Sequence, residues 1–343
     1  MTSVHLVGSV GLDTVEEVFE TAGKLLGPYL KRVPDGEVGG RRLWISWQAP
    51  LLRASPFLEV DTSDPQASFF FPLKLAEGVQ PEAVRFGELG YAREARASYL
   101  DFLAARERGA LPPHVRFQVS LPTPYAVIGP PRIKPEAVEH VLPAYERAML
   151  REAERLCAAI PHEDLAIQWD VCIEMVQWDG RWQRKPFPGM DQVFGETFAR
   201  LAAAVPPDVE LGFHLCYGDL DAKHFIQPAD ATKMVELANL IAAYVKRPIA
   251  YVHMPVPVDR DDDAYYAPLT GLKLPPGTEL YLGLVHTQDG VEGTRRRMAV
   301  ARRYVPEFGI ASECGISRGR DASVAMDYLR VYAGAAEAGA SAR

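Results

Sequence analysis

The chain has 343 residues, of which 48% are hydrophobic and 24% are charged, the composition of a soluble globular protein. This length suits two ordinary domains or one large α/β barrel. The formal net charge is −8, whereas a surface that binds nucleic-acid phosphates needs an excess of lysine and arginine, so we expect no nucleic-acid partner.

Eight short apolar runs predict β-strands, because each is rich in β-branched or aromatic residues and is bounded by Gly, Pro or Asp. They lie at 4–8, 30–34, 115–121, 165–171, 209–215, 248–254, 279–285 and 308–313. Amphipathic stretches at 15–30, 135–160, 193–205, 231–245, 291–305 and 322–338 predict helices between them. Because strand–helix alternation produces parallel βαβ units, eight units predict a (β/α)8 TIM barrel of the α/β class.

The segment from about residue 41 to 113 separates the second predicted strand from the third and contains the run FFFP (69–72) and a helical stretch at 81–109. We interpret it as a long excursion over the barrel mouth that returns through the second crossover helix. No Gly/Ser-rich or Pro-rich linker sets it apart, so residues 1–343 are predicted to form one barrel domain.

Polar, thiol or glycine residues follow the predicted strands. In a (β/α)8 barrel the catalytic groups lie at the carboxyl ends of the strands, so these residues are expected to converge on one pocket. They are Gly8, Ser9, Asp35, Glu37, Thr123, Asp170, His214, Cys216, His253, His286, Glu313 and Cys314.

The four cysteines show no disulfide framework, and the chain starts without the charged and apolar regions of a signal peptide. No apolar stretch reaches the 18 or so residues that span a bilayer. We therefore expect a cytoplasmic protein with reduced thiols and no membrane association. Assembly into a homo-oligomer is left open.

The segment GFHLCYGD (212–219) places a histidine and a cysteine two residues apart at the end of the fifth predicted strand. Taken alone, it is more simply a core strand, because cysteine packs like a small hydrophobic residue. Half of a metal site is the alternative, and the rest of the chain is needed to decide between them.

Seven segments, taken in chain order, resemble the C-terminal catalytic barrel of cobalamin-independent methionine synthase. This family lies in the superfamily that also holds uroporphyrinogen decarboxylase and the zinc-dependent thiol methyltransferases. The segments are LVGSV (6–10), VPDGEVGGRRLW (33–44), LPTPYAVI (121–128), IQWDVCIE (167–174), HLCYGD (214–219), LVHTQDGVE (284–292) and SECGISR (312–318). The ordered set runs over nearly the whole chain, which makes the resemblance specific.

The resemblance implies roles for individual residues. Substrate binding falls on Gly8, Ser9, Glu37, Thr123 and Asp170; zinc binding on His214, Cys216 and Cys314; and proton transfer on His286. His253 stands where the family has a zinc-binding glutamate, so it is expected to be a fourth ligand, to orient one, or to contact only substrate.

One imidazole and two thiolates are borderline-soft donors that select Zn²⁺, and three protein ligands leave a fourth position for substrate. A substrate thiol has a pKa near 8.5, so coordination would present it as a thiolate nucleophile. His286 would protonate the leaving group as general acid; its alternative is a purely hydrogen-bonding role. Glu37 and Asp170, which we also predict to be catalytic, would anchor a cationic group; their alternative is ion pairing with Arg41 or Arg42.

Many aromatic residues fall near the predicted loops on the catalytic side, and of these Trp44 is expected to bind substrate. The set comprises Trp44, Trp47, Phe69, Phe70, Phe71, Trp169, Trp178 and Trp182. Core packing under the excursion is the simpler explanation for most of them.

The predicted function is a zinc-dependent alkyl or methyl transferase that activates a small-molecule thiol as a zinc-bound thiolate and takes the group from an alkyl donor. One alternative is a metal-independent lyase or decarboxylase of the uroporphyrinogen decarboxylase type. Another is a zinc-dependent enzyme that cleaves C–O or C–S bonds of an aromatic or apolar substrate. The sequence names neither the donor nor the thiol, and it leaves the use of folate open.

Overall fold

The structure of the protein, a computed structural model, describes residues 2–63, 72–129, 132–182, 185–219 and 223–341. Its strands are β1 (Val4–His5), β2 (Arg32–Pro34), β3 (Leu58–Val60), β4 (Leu73–Leu75), β5 (Arg116–Pro122), β6 (Leu165–Val171), β7 (Glu210–Leu215), β8 (Tyr251–Pro255), β9 (Glu279–Val285) and β10 (Gly309–Ser312). Its α-helices are α1 (Val15–Leu26), α2 (Ala49–Arg53), α3 (Tyr91–Glu107), α4 (Pro124–Ile128), α5 (Pro135–Ala159), α6 (Ile173–Asp179), α7 (Met190–Ala203), α8 (Thr232–Tyr244), α9 (Asp263–Tyr266), α10 (Gly290–Ala301) and α11 (Ala322–Ser341). Short 3₁₀ helices lie at Gly27–Tyr29, Gly39–Arg41, Trp44–Gln48, Pro81–Ala83, His162–Asp164 and Ala267–Gly271.

Eight of the strands form one parallel sheet in the order β1-β10-β9-β8-β7-β6-β5-β2. Two isolated parallel bridges, Val4 with Leu30 and Ser9 with Gly36, join the two ends of this sheet and nearly close it into a barrel. All eight predicted strands are present, and the (β/α)8 TIM barrel is confirmed. Strand β6 is buried along all seven residues, as expected of a strand that is covered on both faces.

Helix ends differ from the prediction where Gly and Pro intervene. Helix α1 begins after Thr14, whose side chain accepts a hydrogen bond from the Glu17 N–H, and it gives way at Gly27-Pro28 to a 3₁₀ turn. The helix predicted at 81–109 begins only at Tyr91, because Gly90 has a φ of 97°, a left-handed conformation outside the helical range. The order of the elements is unaffected.

The excursion between β2 and β5 contains elements that the sequence did not predict, namely α2 and the antiparallel β3–β4 hairpin. Its last helix, α3, packs beside α1 and α5 on the outside of the barrel. Its first part lies over the strand ends, where residues 43–46 line a cavity. Residues 69–71 of the FFFP run lie outside the described residues.

None of the helices in the described ranges combines the length and the apolar character needed to cross a lipid bilayer. The apolar faces of the barrel helices are instead buried within the core. In α1, for example, the core-facing residues are Val18, Phe19, Ala22 and Leu26, which recur at helical spacing.

Candidate metal centre

A cavity of about 230 Å³, here called the central cavity, lies at the carboxyl ends of the barrel strands. Its walls are formed by Val7, Gly8, Ser9, Glu37, Leu43, Trp44, Ile45, Ser46, Ala126, Gly129, Arg132, Asp170, Cys172, Ile173, Trp182, His214, Cys216, Gly218, Asp219, Phe225, Cys314, Gly315 and Arg318. Of the strand-end residues expected to converge on one pocket, Gly8, Ser9, Glu37, Asp170, His214, Cys216 and Cys314 border this space, whereas Asp35, Thr123, His253, His286 and Glu313 do not. This is the end of the barrel at which such folds carry their chemistry.

Three potential metal donors meet on one wall of the central cavity. His214 and Cys216 lie two residues apart at the end of β7, so they point to the same side, and Cys314 follows β10. One ring nitrogen of His214 and the two Sγ atoms all lie within 4.8 Å of one another, and the two Sγ atoms are 3.6 Å apart. Within the described ranges, this is the one group of three or more His, Cys, Asp or Glu residues with such spacing.

His214 and His253 form a buried pair on the neighbouring strands β7 and β8. Their Nδ1 atoms are 2.6 Å apart, and His253 Nε2 lies 3.0 Å from the carbonyl oxygen of Ser312. Burial lowers the pKa of His253 to about 3 and the pKa of His214 well below its ordinary value, so both rings are neutral. His253 thus lies behind His214 with both nitrogens engaged. Of its three predicted roles, this geometry supports orienting a ligand and not being one.

The two thiols accept hydrogen bonds from the chain around them. The backbone N–H of Gly218 donates to Cys216 Sγ at 3.3 Å, and Arg318 Nη2 donates to Cys314 Sγ at 3.2 Å. A hydrogen bond with the Cys172 thiol and burial raise the pKa of Cys216, while a hydrogen bond with Cys216 and burial raise the pKa of Cys314. A metal that binds here must therefore displace thiol protons. Cys172 lies next to Cys216 in the cavity wall.

The donor set fits zinc. Two sulfurs that are each about 2.3 Å from a tetrahedral zinc ion lie about 3.8 Å apart, and the observed separation of Cys216 and Cys314 is 3.6 Å. In the part of the chain that the structure describes, the buried Nε2 of His214 has no hydrogen-bond partner. A buried polar atom left in this state costs about 1–3 kcal/mol, a cost that a metal ion bound to Nε2 would relieve.

Glu37 and Asp170 form the acidic part of the central cavity. Asp170 accepts hydrogen bonds from Gln168 Nε2 at 2.8 Å and from Trp44 Nε1 at 3.2 Å. Burial raises the pKa of Asp170 to about 7, and burial together with the charge of Asp170 raises the pKa of Glu37 to about 8. At neutral pH the pair therefore still holds a proton, which a cationic ligand would displace.

The arginines that the sequence offered as partners for these carboxylates bind elsewhere. Arg41 forms an ion pair with Asp35 at 2.7 Å, and Arg42 lies 3.8 Å from Asp13. Glu37 adopts a φ of 49°, a left-handed conformation that is unfavourable for a residue with a side chain. The chain thus accepts backbone strain at a carboxylate that borders the cavity.

Arg318 is a cavity residue that the sequence analysis did not select. Its Nη2 contacts Cys314 Sγ and also lies 3.4 Å from Asp219, and its side chain is only 12% exposed. The positive charge of Arg318 lowers the pKa of Glu37, Asp170 and both thiols against the effect of burial. The arginine stands in the segment SECGISR, but only the turn after β10 brings it back over the thiol.

Thr123 does not reach the central cavity, although the resemblance implied substrate binding there. It is fully buried and caps α4, with its Oγ1 accepting the Ala126 N–H at 3.3 Å. A Thr-Pro pair before an apolar run is a helix-start signal, which the sequence analysis did not use for Thr123.

His286 lies outside the wall of the central cavity. Its Nε2–H donates to the Val256 carbonyl at 2.9 Å, and its Nδ1 is 3.7 Å from Glu313. Burial lowers the pKa of His286 to about 3, so this residue has no acidic proton to donate near neutral pH. The arrangement favours the hydrogen-bonding alternative for His286, and its role as general acid stays a prediction.

Among the described aromatic residues that the sequence placed near the site, Trp44 and Trp182 line the central cavity. Phe225, which the sequence did not select, stacks on Trp182 with ring centroids 5.4 Å apart. Trp47, Trp169 and Trp178 pack with the core. The core-packing explanation thus holds for these three, while Trp44 and Trp182 border the cavity.

A parallel eight-stranded barrel with a histidine and two cysteines at its carboxyl end defines a TIM-barrel protein with a candidate zinc centre. No known protein-family model matches the chain, and no curated protein matches it either. Its fold is shared with a B12-independent methionine synthase from Shewanella sp. W3-18-1 in complex with selenomethionine, at 15% identity and a TM-score of 0.53 over 79% of this chain and 71% of that one. It is also shared with a protein assigned as a vitamin-B12-independent methionine synthase from Listeria monocytogenes, at 12% identity and a TM-score of 0.60 over 98% of each chain. The fold implied by the sequence resemblance is confirmed.

Proposed function

We propose that the protein is a zinc-dependent enzyme that transfers a methyl or other alkyl group to a small-molecule thiol. The observation that carries this proposal is the convergence of His214, Cys216 and Cys314 within 4.8 Å at a cavity that also contains Glu37 and Asp170. The solved structures with the same fold include methionine synthases, which agrees with the proposal.

A zinc ion held by one imidazole and two thiolates would supply a nearly neutral centre that holds a substrate thiol as a nucleophilic thiolate. Three protein donors leave a position for that thiol. Hydrolytic zinc sites favour histidines and one carboxylate instead, because a more positive metal activates water better. The donor set therefore supports group transfer to sulfur over hydrolysis.

Glu37 and Asp170 would bind the cationic end of the substrate. Burial raises their pKa values to about 8 and 7, so a cationic group beside them would favour the ionised form of both. An ammonium group would supply that charge and form charge-assisted hydrogen bonds with them. The two carboxylates would in this way hold the substrate with its thiol end toward the cysteines.

The test is to measure zinc content and then to follow the number of sulfur neighbours of the metal by X-ray absorption while thiols are added. We expect about one zinc per chain, with two sulfurs at rest and three after the correct thiol binds. Cys216→Ser should lose the metal, whereas the matched control Cys157→Ser, in α5, should keep it.

Protein purified without chelators that contains no stoichiometric metal would contradict the zinc centre. A panel of thiols, homocysteine first, that leaves the sulfur count at two would rule out those acceptors. If every thiol fails while a substrate is still turned over, the transferase class is wrong.

A metal-independent lyase or decarboxylase is the second candidate, and the arginines of the cavity favour it. Arg132 and Arg318 both line the central cavity and could hold an acidic substrate. This reaction needs neither Cys216 nor Cys314. Turnover of an acidic substrate that survives chelator and the Cys216→Ser change would establish it.

Aromatic side chains in the cavity wall support a third candidate function, the cleavage of C–O or C–S bonds. Trp182 and Phe225 stack beside a cavity that also contains Trp44, a surface suited to a planar or apolar group. A zinc-dependent enzyme that cleaves C–O or C–S bonds in such a substrate would use the same donors. Release of a free thiol or alcohol, without methyl transfer, would distinguish it.

A further inference from the structure

Three groups on the strands β7, β8 and β10 form a hydrogen-bonded chain that ends at the metal donors. The Ser312 carbonyl of β10 lies 3.0 Å from His253 Nε2, and His253 Nδ1 lies 2.6 Å from His214 Nδ1. His214 Nε2 is buried and has no hydrogen-bond partner among the described residues. Each link constrains where the ring protons are.

The protons can be placed from the acceptor end. A carbonyl oxygen only accepts, so His253 Nε2 must carry a hydrogen. Both rings are buried and neither forms an ion pair with a carboxylate in the described part of the chain, so a second proton that made His253 cationic would be costly. His253 Nδ1 is therefore a bare acceptor, and the hydrogen between the two Nδ1 atoms belongs to His214. His214 Nε2 is left with its lone pair free.

We propose that His253 is a positioning residue that fixes His214 in the Nδ1-protonated tautomer and so holds the Nε2 lone pair ready for the metal. The inference goes beyond the proposed function but rests on the metal centre in it. At the position of His253, the family that the sequence resembles has a zinc-binding glutamate. In this chain, His253 would act on the metal only through the ligand His214.

The same chain ties the donor segments together. Ser312 stands two residues before Cys314, and its Oγ–H donates to the Cys314 carbonyl at 2.6 Å. The segment that supplies one thiol thus also supplies the carbonyl that orients His253, and through it His214. Residues that hydrogen-bond to a metal ligand typically change metal affinity about 10–100-fold when they are removed.

The first experiment needs no metal. Two-bond ¹H–¹⁵N correlation spectra of protein with ¹⁵N-labelled histidine, in chelator and reductant, distinguish protonated from bare ring nitrogens. We expect His214 to be protonated at Nδ1 and bare at Nε2, and His253 to show the reverse. The variants His214→Asn and His253→Asn assign the signals of the two rings. A His214 ring protonated at Nε2, or averaged between tautomers, would overturn the proposal.

The second experiment measures zinc affinity by competition with a chromophoric chelator. His253→Leu removes the acceptor and should weaken binding about 10–100-fold. His253→Asn keeps an oxygen that can accept from His214 and should recover most of the affinity. The control His5→Asn changes another buried histidine, whose ring centroid lies 5.9 Å from that of His253 and whose ring bonds Gln168, and should bind zinc like wild type.

Equal affinity of wild type and His253→Leu would refute the positioning role, as would equal weakening in the Leu and Asn variants. If His253→Leu does not fold, the spectra of wild type and the Asn variant decide. If wild type binds no zinc, the proposed function fails, while the tautomer of His214 in the metal-free protein still tests this inference separately.

Discussion

Replacing Glu37 with Gln should change how stability depends on pH, because Gln keeps the shape of the side chain but cannot ionise. Burial, with the charge of Asp170, raises the pKa of Glu37 from 4.5 to about 8. Between these values the unfolded chain has lost a proton that the folded chain still holds. Raising the pH through this window therefore destabilises wild type, and E37Q is spared that loss.

The size of the effect follows from the proton count. One proton corresponds to at most about 1.4 kcal/mol per pH unit. A chain of 343 residues unfolds with an entropy of about 0.7 kcal/mol/K, so the Tm of E37Q should gain up to about 2 °C on wild type per pH unit. Water in the cavity and coupling to Asp170 reduce this gain but do not change its sign.

Calorimetric melting of metal-free protein at about pH 5.5 and about pH 7.5 measures the difference, up to about 4 °C across this range. The matched control is E88Q, at an exposed glutamate, for which the difference from wild type should not vary with pH. A difference between E37Q and wild type that stays constant or narrows as the pH rises would refute the reasoning.

Four further outcomes are expected. Cys216→Ser and Cys314→Ser should each lose stoichiometric zinc by elemental analysis without unfolding, because the barrel core is built from other residues; retention of zinc in either would contradict the donor set. Glu37→Gln and Asp170→Asn should lower kcat/KM by about tenfold or more with zinc content intact, and normal kinetics in both would remove their binding role. Thiol binding should release about one proton per site near neutral pH, measured by calorimetry in buffers of different ionisation enthalpy; no release would argue against thiolate formation. His286→Asn should keep zinc and thiol binding and cost about 1–3 kcal/mol of stability in chemical denaturation. Loss of the substrate sulfur from the zinc in this variant would show that His286 acts in the metal centre after all.

The barrel was predictable because its signal is repeated along the chain. Eight apolar runs alternate with amphipathic helices, and each run must be buried on both faces in a parallel sheet. The β3–β4 hairpin was missed because its strands have three residues each and lie in the excursion, where no such repetition exists.

The sequence predicted where the site lies better than it predicted the role of each residue in it. Following the strands to their carboxyl ends found the three donors and both carboxylates, since the fold brings those ends together. His253 pairs in register with His214 on the next strand, so both reach the same region, but only atomic positions show which one faces the cysteines. The sequence also did not show Arg318 near Cys314, because a turn and not a periodic element connects them.

The two halves of the central cavity differ in how firmly the barrel holds them. The strands β5, β6 and β7 are joined by continuous ladders of paired residues, and His214 stands on one of these. Ser9 and Glu37 instead lie at the seam between β1 and β2, which isolated bridges close. Local opening occurs first where backbone pairing is sparse, so amide hydrogens at the seam should exchange before those of β6. His214 and Asp170 would then be held more rigidly than Ser9 and Glu37, and movement of Ser9 and Glu37 would let one site accept substrates of more than one shape.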